Sequence, residues 1–174
     1  MENCTSTDPT PKTEQTTDVT DTKNLKWSDL KLKDTTIKGI IRKGLFNPSP
    51  VQEESIPIIK SGFDIIARSK NGTGKTAAFL IPTIDKIDVK KKKIQAMILV
   101  PTRELALQTE RVIQELGHFT EIKTMVSTGG TSVKDDILRL QTTVHISNFS
   151  FLINFKLSGL QEDFWIWLIK ESLD

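Results

Sequence analysis

Residues 69–76 read Ser-Lys-Asn-Gly-Thr-Gly-Lys-Thr, and their types and spacing suit one chemistry, the holding of nucleotide phosphates. Gly72 and Gly74 permit turns that other residues resist, so successive backbone N–H groups can converge on one point. A helix predicted from Lys75 aims its positive dipole end at the same point. Lys75 would reach the β- and γ-phosphates, and the Thr76 hydroxyl would join the shell of a Mg²⁺ ion. Ser69 stands where a first glycine is usual; a small residue serves there. The preceding run Phe63–Ala67 is short and apolar, which predicts a buried strand and completes a strand–loop–helix order. Ser69, Lys70, Asn71, Gly72, Thr73, Gly74, Lys75 and Thr76 are therefore the candidate phosphate loop.

Other residues offer weaker chemistry. Ser49-Pro50-Val51-Gln52 has the form of a helix start, with serine as cap, proline at the first position and glutamine at the third. The Gln52 carboxamide carries both a donor and an acceptor, so it suits the N6/N7 edge of adenine, although capping alone would also account for it. Thr102 and Arg103 fall at a predicted strand end and helix start, where N–H groups, a hydroxyl and a guanidinium can meet phosphates. Gly129-Gly130 would allow close backbone approach, or simply make a turn. Lys90 to Lys93 read as a solvated loop.

The elements that must position these residues alternate. A helix capped by Asp34 carries Ile37, Ile40 and Ile41 and stops at Gly44. After the helix opened by Ser49 come a helix over Lys75–Ile87, a buried strand over Ala96–Val100 and a helix bearing Leu105, Val112 and Leu116. A strand over Lys123–Ser127 follows, then a helix begun at Ser132 with Val133, Ile137 and Leu140 on one face, then a strand opening at Val144–Ile146. Apolar strands separated by amphipathic helices predict an α/β fold, an open parallel sheet with helices on both faces. Residues 1–24 are almost wholly polar and predict a disordered tail. Residues 147–174 hold six of the eleven aromatics without a clear period, so they do not read as a continuation of the pattern.

Composition narrows the classes. The chain has 174 residues and a formal charge of +2, from 24 Lys plus Arg against 22 Asp plus Glu, which suits one domain and excludes a polybasic nucleic-acid binder. One cysteine, Cys4, and two histidines, His118 and His145, supply neither a disulfide framework nor a zinc constellation. No signal-like stretch follows Met1, and no apolar run reaches the length of a membrane span. The expectation is a reduced, intracellular protein without a membrane partner.

Taken together, the motifs resemble the first RecA-like lobe of DEAD-box RNA helicases. Pro48–Gln52 resembles the Q motif, with Trp27 as its upstream aromatic, and Ser69–Thr76 resembles motif I. Pro101-Thr102-Arg103-Glu104-Leu105-Ala106 resembles motif Ia, and Gly129-Gly130 the GG motif. The wording around them is most similar to the cytoplasmic branch tied to mRNA decapping, translational repression and P-bodies. The resemblance spans about residues 25–146. It implies ATP with Mg²⁺ as cofactors, with Trp27, Gln52 and residues 69–76 on the nucleotide and Thr76 on the metal. It also implies backbone contacts to single-stranded mRNA, rather than DNA, through Pro101, Thr102, Arg103, Gly129 and Gly130, and decapping or repression proteins as partners. Leu45 departs from the pattern, since an aromatic usually follows Gly44; Phe46 is adjacent.

Beyond Ile146 the resemblance stops. The Thr-Pro-Gly-Arg, Asp-Glu-Ala-Asp and Ser-Ala-Thr motifs and a second lobe do not follow, so no catalytic residue is assigned. Without Walker-B carboxylates and arginine fingers, ATP hydrolysis by these 174 residues alone is not expected. The expectation is an ATP- and RNA-binding fragment, with a non-catalytic regulatory isoform or a gene-model artefact as alternatives. The missing strands would leave sheet edges open, with residues 147–174 the only candidates to cover them.

Overall fold

A computed structural model describes residues 23–67, 72–129 and 132–150, and the backbone of 165–168. A short 3₁₀ turn (Trp27–Leu30) precedes α1 (Asp34–Arg42), α2 (Pro50–Lys60) and α3 (Lys75–Lys86). Then come β1 (Ala96–Val100), α4 (Arg103–Leu116), β2 (Thr124–Ser127), α5 (Val133–Leu140), β3 (Ile146–Ser150) and β4 (Trp165–Leu168). The four strands form one sheet in the order β2-β3-β1-β4, every neighbouring pair parallel. This is the expected α/β, RecA-like architecture, with β1-α4-β2 and β2-α5-β3 as its crossover units.

Period-two alternation sorts the sheet residues. Ala96, Ile98 and Val100 of β1 and Ile146 of β3 join one core with Ile40, Ile56, Leu80, Ile81, Ile84, Ile113 and Leu116 from α1 to α4. Thr124 donates to Glu110 of α4, whereas Ser127 donates to Asp136 of α5 at 2.6 Å. Positions three apart on a strand point to opposite faces, so α4 and α5 flank the sheet from opposite sides. Gly39 fixes how closely α1 crosses α4, since a Cβ there would lie 1.9 Å from the Leu116 carbonyl oxygen.

The segment before α1 is strapped down by two buried carboxylates. Glu53 accepts the N–H groups of Lys23 (2.6 Å) and Leu25 (2.9 Å), and Asp85 accepts those of Lys33 (2.7 Å) and the Lys60 ammonium (2.9 Å). Lys23 and Asn24, the last two residues of the expected polar tail 1–24, are thus held by the fold, and residues 1–22 lie outside the described residues. Among the described residues no helix is long and apolar enough to cross a membrane.

Several expectations need correction. Phe63–Ala67 forms no strand: Phe63 is 67% and Ile66 93% exposed, and neither has a ladder partner. The position beside β1 is taken by β4, so this run has no place next to that strand. The phosphate loop therefore does not follow a strand here. Asp34 is the first residue of α1, and Lys33 holds the cap position. On α1 Ile41 is 51% exposed, because Thr36, Gly39 and Ile40 take the buried face. On α5 Ile137 is 52% exposed, because the bond from Ser127 turns Asp136 toward the sheet instead. The pattern also continues past Ile146. All five residues of β3 are buried, Phe149 included, and Trp165–Leu168 returns as β4 beside Ala96–Leu99.

Candidate nucleotide and RNA site

The start of α2 and the start of α3 meet at one point. Ser49 N–H donates to Gln52 Oε1 (3.0 Å), which closes the turn before α2 with Pro50 at its first position. The other end of the same amide, Gln52 Nε2, donates to the Gly74 carbonyl (3.1 Å), which also accepts the Ala78 N–H (3.1 Å) as the first bond of α3. Gln52 is 3% exposed, so one buried amide joins the Q-motif turn to the phosphate loop. Capping and loop contact coexist in it.

The loop backbone is shaped for close approach. Gly74 caps α3 at φ +89°, and a Cβ there would lie 2.5 Å from Gln52 Nε2 and 3.3 Å from Ser49 Oγ. Gly72 stands at φ +79° with nothing within 4 Å of a Cβ position, so it opens outward while Gly74 faces in. Lys75 and Thr76 are the first two residues of α3, both half-buried, where helix N–H groups lack intrahelical acceptors. Ser69, Lys70 and Asn71 lie outside the described residues. Ser49 Oγ is buried beside this loop, close to Gly74. The sequence marked Ser49 as a cap and as part of the run resembling the Q motif, and its placement against Gly74 had no signal in the chain. These features fit a phosphate-bearing nucleotide: a left-handed glycine cap, a helix N-terminus, a lysine and a hydroxyl. Among the described residues no cluster of three His, Cys, Asp or Glu side chains forms a metal site. Mg²⁺ held here would rest on Thr76 and the nucleotide's own oxygens.

Trp27 is 5% exposed, its ring in the core, and its Nε1 donates to the Leu45 carbonyl at 2.9 Å. It pins the turn after Gly44 rather than presenting a bare ring. Phe46 is 73% exposed, and Leu45 packs against the core.

The candidate RNA residues gather at the carboxyl end of the sheet. Thr102 caps α4, its Oγ1 accepting from Leu105 N–H (3.2 Å), and Pro101 and Arg103 beside it are exposed. Gly129 follows β2 and donates its N–H to Ser150 Oγ (3.4 Å) at the end of β3, which lies between β2 and β1. Ser150 was not singled out by the sequence; it completes this rim. Gly130 lies outside the described residues. Lys90 to Lys93 are exposed at the opposite, amino end of β1.

A glycine-capped helix N-terminus on an open parallel sheet, with exposed polar groups along the strands' carboxyl ends, is the arrangement of an α/β protein of the P-loop kind. Residues 49–155 match the profile described as DEAD/DEAH box helicase, and the chain belongs to that family. It is 59% identical over 139 residues to the DEAD-box ATP-dependent RNA helicase 12 of Oryza sativa subsp. japonica, covering 79% of this chain and 27% of that protein. The Arabidopsis thaliana protein of the same name is 58% identical over 139 residues, covering 79% of this chain and 28% of that one. It is also 58% identical over 132 residues to the ATP-dependent RNA helicase DHH1 of Vanderwaltozyma polyspora, covering 76% of this chain and 27% of that protein. The chain thus spans about a quarter of the length of these relatives.

Proposed function

We propose that this chain is the ATP- and RNA-binding portion of a DEAD-box RNA helicase acting on cytoplasmic mRNA. The observation that carries the nucleotide half is the Gln52 amide, which ties the Q-motif turn to Gly74 at the head of α3. Lys75 would meet the β- and γ-phosphates, Thr76 would serve Mg²⁺, and the α3 dipole would favour the anionic group. Gln52, bonded to the loop it overlooks, would couple adenine recognition to the shape of the phosphate cradle. Trp27 would contribute by holding Leu45. Pro101, Thr102, Arg103 and Gly129 would bind phosphates of single-stranded RNA, with Gly130 beside them. Such contacts read backbone and not sequence. Likeness to DHH1 supports a P-body setting with decapping and repression proteins as partners.

These 174 residues carry no Asp-Glu-Ala-Asp box, so by themselves they would bind rather than turn over ATP. The one candidate carboxylate of α5 that is buried, Asp136, is engaged by Ser127. For the domains, the expected division into 1–24, 25–146 and 147–174 is kept for the polar segment, while the lobe is proposed to extend beyond 146, because β3 (Ile146–Ser150) lies inside the sheet. A titration with a fluorescent ATP analogue and Mg²⁺ tests the reading. Wild type should bind, and Lys75→Ala should weaken binding at least tenfold. Equal affinity for the two proteins would overturn the phosphate-loop assignment. RNA-stimulated ATPase above background would overturn the non-catalytic part.

A further inference from the structure

We propose that the groove along the outer edge of β2 docks an extended acidic peptide of a partner protein, which adds a strand to the sheet. The proposal goes beyond the nucleotide and RNA reading and shares only Arg103 with it, at the end of the groove nearest the carboxyl rim. A groove of about 660 Å³ runs between α4 and the segment leading from α5 to β3, lined by Arg103, Leu107, Glu110, Lys123, Val126 and Arg139 among others.

Its floor is an open strand edge. β2 pairs with β3 on one side and has no strand on the other among the described residues. The Lys123 carbonyl accepts from His145 and Ile146, so Lys123, Met125 and Ser127 present their backbone to β3. Alternation leaves the backbone groups of Thr124 and Val126 turned outward. Edge strands are usually blunted by proline, lysine or a bulge, and Thr-Met-Val-Ser has none of these within it.

Charge selects the occupant. Arg103 and Lys123 have no ion-pair partner among the described residues, and Arg139 reaches Asp136 only at 3.9 Å. The single acid, Glu110, accepts from Thr124 and from Gln114 (3.1 Å) through one oxygen. Its other oxygen, Oε2, is buried without a partner and suits a peptide N–H donor. Acidic side chains of the added strand would meet the three cations, and apolar ones would lie on Leu107 and Val126. The open edge favours a peptide over RNA, since the outward backbone groups of Thr124 and Val126 match the ladder of an added strand and not a phosphate backbone.

The test is fluorescence anisotropy with a labelled eight-residue peptide of alternating Glu and Val, beside its Gln/Val counterpart and a U10 RNA. The expected result is saturable binding of the Glu peptide. Binding should weaken at least tenfold for the Gln peptide and for the double variant Lys123→Glu, Arg139→Glu, whose folding is checked by circular dichroism. Amide exchange at Thr124 and Val126 should slow when the Glu peptide binds. Absence of saturation, or equal binding by the double variant, would overturn the proposal. So would loss of U10 binding in that variant without peptide binding, which would make the groove a nucleic-acid surface. A wild-type dimer dispersed by the double variant would overturn it in favour of a second copy of this chain.

Discussion

Gln52 shows how much one buried amide can organise. Its two polar ends are spent on Ser49 and on Gly74, so the turn that starts α2 and the cap that starts α3 share a side chain. Gly74 is the matching constraint, because φ +89° and the 2.5 Å approach to Nε2 leave no room for a methyl group. Gly74→Ala should therefore displace Gln52 as well as strain the cap. Nucleotide affinity is expected to fall at least tenfold, with a stability loss of about 1–2 kcal/mol from the left-handed backbone alone. Calorimetric titration together with a urea melt separates the two effects. Unchanged affinity in a folded variant would show that the loop tolerates a shifted amide. Gln52→Ala should weaken both nucleotides through the lost tie to Gly74, and ATP more than GTP through the lost adenine contact; an equal loss for both would leave Gln52 a structural tie only.

Helix α4 lies at the meeting of the core and the exposed carboxyl rim. Its first turn is capped by Thr102, its middle packs Ala106, Thr109 and Ile113, and its last residue, Leu116, receives α1 at Gly39. Thr102→Ala removes the acceptor for Leu105 N–H and should cost about 1 kcal/mol, visible in a urea midpoint. Gly39→Ala is a harsher change, since its methyl would have to enter the Leu116 carbonyl and neither helix backbone can yield cheaply. The expected loss is on the order of 3 kcal/mol, read as a fall in melting temperature. A loss under about 1 kcal/mol would mean that α1 slides over α4. The resemblance to helix-start motifs is carried by these elements, yet the burial of α5 was set by Ser127 and Asp136 rather than by its apolar residues.

At the scale of the molecule, the sheet is completed from the far end of the chain. β4 pairs in register with Ala96–Leu99, so β1 is interior and the P-loop helix is reached without a strand from Phe63–Ala67. Ending the chain at Ser150 would remove β4 and leave β1 as an edge. Its residues Ala96, Met97 and Ile98 are buried and apolar, a composition prone to pair with another chain. The truncated protein is expected to melt lower and to associate with rising concentration in sedimentation velocity. A monomeric truncation with an unchanged melting temperature would show that β4 contributes nothing to the sheet.

The sequence by itself determined what depends on neighbours along the chain. The Gly-Lys-Thr end of the phosphate loop, the Ser49–Gln52 turn, the Thr102 cap and the run of β1 are local, because turn geometry, capping and apolar burial act within a few residues. The α/β alternation followed from the same signals. Only the tertiary structure decided which apolar run would find a free edge. Phe63–Ala67 and Trp165–Leu168 are both strand-sized, and pairing depends on which one can reach β1, a property of the packed chain and not of either segment. The same holds for Gln52 on Gly74, 22 residues apart, and for Asp136 on Ser127. A buried polar group takes whatever partner the fold brings within hydrogen-bond reach, and that choice is made in three dimensions.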